Sequence, residues 1–216
     1  MPYAFLGVLI VGFLAFSLPP YLSGGSRVPP TFGLHYELLV MHVLLAGIAM
    51  LCAVVQLLPG SRGRWPALHR RTGRIYVFAA VPAALSALVI GAATPFGPLL
   101  AASNVVLGAL WLWFTVDGYR AARARQFARH RRQITRSAVL ALSVITNRVW
   151  TPALFLALQP LQHRLFGGNE EQFLWLVAGL GGWLGWTVPL VVTQVWLRRK
   201  PGVPPAVLRA YRAQRV

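Results

Sequence analysis

Acid is scarce in this chain: 4 Asp and Glu stand against 21 Lys and Arg in 216 residues. Charged residues of all kinds make up 12% of it, against about 25% in a soluble domain. That is too little charge to coat a water-soluble globule, so lipid must be the solvent for most of the surface. The shortage of carboxylates also removes paired-carboxylate acid–base chemistry. Cysteine is limited to Cys52, inside an apolar run, which excludes an intramolecular disulfide and leaves a small buried hydrophobe. There is no glycine-rich phosphate loop and no nucleophile elbow, so conventional hydrolase or nucleotide-driven chemistry is not expected. No Lys or Arg precedes Arg27. The first apolar run therefore reads as a retained helix rather than a signal peptide.

What the chain has is length of apolar sequence, 56% hydrophobic in all. Six runs stand out: Tyr3 to Leu22, His35 to Leu58, Ile75 to Ala93, Pro98 to Asp117, Ser137 to Leu158 and Gln172 to Leu197. Each is near the roughly 20 residues that cross a hydrocarbon core. The expectation is an all-α integral membrane bundle of about six transmembrane helices. It forms a single polytopic domain, 1–216, ending in a basic cytosolic tail, 201–216. The basic residues sit between the runs and sort by side. Arg62, Arg64, Arg70, Arg71 and Arg74 follow the second run, and Arg120, Arg123, Arg125, Arg129, Arg131, Arg132 and Arg136 follow the fourth. Arg198, Arg199, Lys200, Arg209, Arg212 and Arg215 fill the tail. The other side has only Arg27 and Arg164. By the positive-inside rule both termini are cytosolic. The net charge of +17 thus points to the bilayer and its anionic lipids, and not to nucleic acid.

The second and third runs look like a diverged copy of the fourth and fifth. His42-Val-Leu-Leu-Ala-Gly47 aligns with Asn104-Val-Val-Leu-Gly-Ala109, and His69-Arg-Arg71 with His130-Arg-Arg132. Residues 35–93 and 98–158 are read as two parallel helical-hairpin repeats. Together they form a four-helix core, with the first and sixth helices packed outside it. Ala67-Leu-His-Arg-Arg-Thr-Gly-Arg-Ile-Tyr76, Arg129-His-Arg-Arg-Gln-Ile-Thr-Arg-Ser-Ala138 and Arg148 carry a resemblance. With the stretch from His42 through Leu58-Pro59, they resemble the bacterial membrane proteins grouped as domain of unknown function 2306. The resemblance implies a multi-pass protein of the bacterial plasma membrane and brings no established activity. In one respect this chain departs from it, with Gln133-Ile134 where the family often has Trp-Met.

Candidate site residues follow from charge and depth. Arg70, Arg74, Arg131 and Arg136 crowd what read as two helix starts, where unpaired N–H groups already favour an anion. They are candidates for a shared phosphate or carboxylate, flanked by Arg71 and Arg132. His69 and His130 lie on the same two segments, and two histidines on facing helices can ligate a haem b iron with arginines on its propionates. Deeper in the membrane, His42, Asn104 and Arg148 are ligand-binding candidates. A charge at mid-bilayer costs about 2.5–3.5 kcal/mol on insertion scales, so Arg148 is expected to face the core. His35, His163, Glu37, Glu170 and Glu171 on the outer side match no metal motif. Gly181 and Gly185 form a small-xxx-small pair for close helix packing, within the bundle or in a homodimer. Pro82, Pro152 and Pro189 interrupt their helices.

The function classes left are three. The first is binding of an amphipathic or anionic small molecule (lipid, quinone or haem), with a redox role where the ligand is haem or quinone. The second is transport or lipid handling. The third is an accessory subunit in a membrane complex.

Overall fold

The computed structural model describes residues 2–58 and 61–199, with side chains from Phe5 onward except those of Ser61 and Arg62. The tail 201–216 therefore lies outside the described residues. Every regular element among them is helical: α1 (Pro2–Ser17), α2 (Pro19–Leu22), α3 (His35–Leu57), α4 (Ser61–Arg64), α5 (Pro66–Ala92), α6 (Pro98–Arg123), α7 (Phe127–Leu158), a 3-10 turn (Gln159–Leu161), α8 (Gln162–Phe166) and α9 (Glu170–Arg199). Five of the six apolar runs form helices long and apolar enough to cross a membrane: α3, α5, α6, α7 and α9.

The first run stops early. Its helix α1 has 16 residues, about 24 Å at 1.5 Å per residue, against about 30 Å of hydrocarbon. Pro19 and Pro20 lack the N–H groups that would bond the carbonyls one turn back. One of those carbonyls, Phe16 O, instead accepts a hydrogen bond from Arg27 Nη2 at 2.8 Å. The Arg27 guanidinium also lies 4.2 Å over the Phe16 ring. At the other end of the bundle two helices begin earlier than their apolar runs. Helix α5 starts at Pro66 and α7 at Phe127, so both His-Arg segments are helical. The first intrahelical bonds already reach His69 N, from Trp65 O, and His130 N, from Gln126 O.

Successive long helices pack side by side: α3 on α5, α5 on α6, α6 on α7 and α7 on α9. Helix α3 also touches α7, which brings the fourth member back to the first, and α9 touches α6. Helix α1 lies against α3, its Ile10 and Leu14 filling a seam with Met50 of α3 and with Leu142 and Ile145 of α7. Small residues make the close approaches. Ala49 and Ala53 of α3 meet Ala79, Ala80, Ala83 and Ala84 of α5, all nearly or fully buried. Small side chains are what lets helix backbones approach without the drive of water exclusion. Between α7 and α9, a Cβ on Gly185 would stand 2.9 Å from Asn147 Cβ, and one on Gly181 would collide with Thr151 Oγ1.

Candidate functional site

The centre of the bundle holds a polar cluster sealed among apolar side chains. Tyr76 of α5, Trp111 and Thr115 of α6 and Ser137 of α7 are all buried. Thr115 Oγ1 donates to Trp111 O at 2.7 Å, so its 2.6 Å contact with Ser137 Oγ has Ser137 as donor. Ser137 then accepts from Tyr76 Oη at 2.5 Å, and Trp111 Nε1 donates to Tyr76 Oη at 3.3 Å. The hydrogen bonds form a closed one-way ring that leaves Trp111 by its indole N–H and returns to its carbonyl. Each hydroxyl gives one bond and takes at least one, which is what burial demands of it. Tyr76 and Ser137 are each ten residues past the first residue of their helix. Their contact therefore puts the α5 and α7 starts, and with them both arginine-rich loops, at one end of the bundle.

A second polar chain lies at this basic end. Asp117 of α6 accepts from Arg129 Nη2 at 2.6 Å and Nε at 3.1 Å, and from Gln133 Nε2 at 2.5 Å. Gln133 Oε1 in turn accepts from Arg136 Nη1 at 2.5 Å, and Gln194 Oε1 of α9 accepts from Arg136 Nε at 3.0 Å. The half-buried Arg136 guanidinium sits 5.5 Å over the Phe114 ring. Beside it opens a groove of about 360 Å³ lined by Phe114, Arg136, Leu190, Val191 and Gln194. One end of this groove is polar and cationic, and its walls are aromatic and aliphatic. Arg136 Nη2 has no acceptor among the described residues.

The sequence candidates fare differently. Arg136 is in this groove, but its counterpart Arg74 is exposed and bonds Arg70 O of its own helix at 3.4 Å. Arg70 and Arg131 are exposed as well. Arg74 and Arg136 lie more than two turns inside α5 and α7. The N–H groups beside them are therefore spent on intrahelical bonds, and a helix start contributes nothing to an anion there. His130 Nδ1 donates to Gly118 O of α6 at 2.8 Å. The carbonyl of His69, itself half-buried, accepts from Gln56 Nε2 of α3 at 2.7 Å. Each histidine is thus tied to the preceding helix of its own hairpin.

The three deep candidates do not share one site. His42 Nδ1 donates to Ala83 O at 2.8 Å and its ring meets Trp111 edge-on at 6.5 Å. Asn104 instead packs on Gly91, where an added Cβ would come within 2.7 Å of Asn104 Cβ. Ala83 and Gly91 are eight residues apart on α5, about 12 Å along its axis. Arg148, expected to face the core, is exposed, and no hydrogen bond or ion pair joins it to another described residue. Sequence reasoning passed over Phe114, Gln194 and the Tyr76–Trp111–Thr115–Ser137 ring. Thr115, a hydroxyl inside an apolar run, was the visible sign of the ring. Gln133 stood out as a departure from the family, and it is the link between Asp117 and Arg136.

A family model described as predicted membrane protein (DUF2306) matches residues 39–197. No curated protein and no solved structure matches the chain.

Proposed function

The chain belongs to that family of predicted membrane proteins, and on this premise we propose that it holds an anionic amphiphile, a lipid-like molecule with a phosphate or carboxylate head, in the Arg136 groove. The observation that carries this reading is a half-buried guanidinium fixed by two glutamines and an aromatic ring at the head of an apolar groove. A planar donor with an unused Nη2 suits a phosphate or carboxylate oxygen better than an ammonium would. Leu190, Val191 and Phe114 suit the first methylenes of a chain. The basic end then faces anionic headgroups on the cytosolic side of a bacterial plasma membrane, with both chain termini on that side.

The test compares phosphatidylglycerol with phosphatidylcholine bound to purified protein, by native mass spectrometry and by titration in nanodiscs. Wild type is expected to retain phosphatidylglycerol selectively. Arg136→Ala should weaken it about tenfold or more, the worth of a charge-assisted hydrogen bond. Arg74→Ala, at an exposed residue outside the groove, should leave it unchanged. Equal binding of the two lipids, or equal loss in both variants, overturns the reading.

A further inference from the structure

Helices α7 and α9 run antiparallel, and their side-chain pairings keep one register. Arg136 meets Gln194, Thr146 meets Gly185, and Asn147 and Thr151 meet Gly185 and Gly181. The alignment continues past the Arg136 groove toward the basic end. Arg132 is four residues before Arg136 on α7, and Arg198 is four residues after Gln194 on α9. Each therefore lies on the same helix face as its groove residue. The register sets the two arginines level with each other, one turn beyond the groove head. The Arg132 charge is close enough to repel that of Arg136. Arg132 and Arg198 are exposed, and no hydrogen bond or ion pair ties either to another described residue.

Three guanidinium groups thus border the head of one groove, and no acidic side chain answers them. The chain has four acids. Glu37 stands in the first turn of α3, and Glu170 and Glu171 in the first turn of α9, at the opposite end of the bundle. Asp117 is already held by Arg129 and Gln133. Like charges gathered in this way repel until an anion lies among them. The phosphate of a diester offers one negative charge and two free oxygens. A phosphate monoester carries about 1.5 to 2 negative charges at neutral pH and three acceptor oxygens, one for each guanidinium. Resting on the reading of this groove as an anionic-amphiphile site, we propose that the head it takes is a phosphate monoester, held by Arg132, Arg136 and Arg198 together. The ligand is then a lipid of the phosphatidic acid kind, with a bare terminal phosphate, and not one whose phosphate carries a second alcohol. Phe114, Leu190 and Val191 receive its chains.

The probes are lipids with matched chains: phosphatidic acid, phosphatidylmethanol, phosphatidylglycerol and phosphatidylcholine. Phosphatidylmethanol caps the monoester with a single methyl, so it removes charge at almost constant size. Binding to the full-length protein is read by native mass spectrometry and by titration in nanodiscs. Phosphatidic acid should bind about tenfold more tightly than phosphatidylmethanol or phosphatidylglycerol. Arg132→Gln and Arg198→Gln should each shrink that preference, and the double variant should erase it. Arg131→Gln, which removes the same charge from another face of α7, should leave it intact. Circular dichroism and size exclusion identify the variants that remain folded. Glycerol 3-phosphate, the same head without chains, should not displace the lipid at millimolar concentration; displacement would make a soluble phosphate ester the ligand and overturn the proposal. A monoester preference that survives in the folded double variant overturns it as well. Equal binding of the three anionic lipids, all above phosphatidylcholine and all weakened by Arg136→Ala, overturns the monoester head and leaves the anionic groove standing. No preference for any of them over phosphatidylcholine overturns both.

Discussion

Thr115 sets the sense of the buried ring, because its only proton goes to Trp111 O and every other hydroxyl must then pass its own proton onward. Tyr76→Phe removes an acceptor from Trp111 and a donor from Ser137 together. In membrane proteins such bonds are worth about 0.6 kcal/mol on average and up to about 1.7. A loss near the upper figure is expected, read as unfolding free energy in bicelles. Ser137→Ala should cost a similar amount, and the double variant clearly less than the sum of the two, since both open the same ring. Strict additivity would mean that the four residues do not act as one unit. At the basic end Gln133→Leu cuts the link from Asp117 to Arg136. It should weaken phosphatidylglycerol binding, though less than Arg136→Ala does, because Gln194 still holds Nε.

Helices α7 and α9 meet through glycine on one side and Asn147, Thr146 and Thr151 on the other. Gly185→Val would press a side chain into Asn147 Cβ and Cα. An overpacked contact costs typically 1–3 kcal/mol. The expected result is a lower melting temperature in detergent with unchanged helix content by circular dichroism. Unchanged melting would mean that α9 is held by α6 alone. The small-residue signal at Gly181 and Gly185 was legible in the sequence because glycine spacing needs no partner to be seen. The limits of α1, α5 and α7 were not. Hydropathy is read as an average over a run, which two prolines between apolar neighbours do not break, and so the first span ran through Pro19 and Pro20. It also ignores helical turns made of arginine, and so missed the opening turns of α5 and α7. Pro66, at the first position of α5, was the available sign of a helix start.

Across the whole molecule, 18 of the 21 basic residues fall on one side of the six-run reading. Reporter fusions after Arg64, Arg125 and the C-terminus are therefore expected to report cytosol, and fusions near Gly25 and Gly168 the outside. An outside signal at Arg125 would break the topology. The all-helical bundle was legible because long apolar runs in a charge-poor chain admit no other membrane architecture here. The candidate site was legible only in part. Arg136 was named from its charge, but Phe114 and Gln194 come from α6 and α9, and no local pattern announces a contact between helices. Arg148 was expected to face the core and is exposed instead. Helical periodicity gives the side on which a residue lies, and that side is buried only as far as a neighbour covers it. Here the cover, α1, ends at Ser17.

The ring through Trp111 has one more consequence. Dipoles set head to tail around a closed loop largely cancel, so the four groups present almost no net dipole to the hydrocarbon around them. An open chain of the same hydroxyls would instead carry a lasting dipole across a medium that cannot screen it. Closure also means that the circuit starts at an indole N–H, which does not release its proton, and ends on an amide carbonyl, which does not take one up. This cluster is therefore an insulator within the helix packing, a place where polarity is stored without being connected to either end of the bundle.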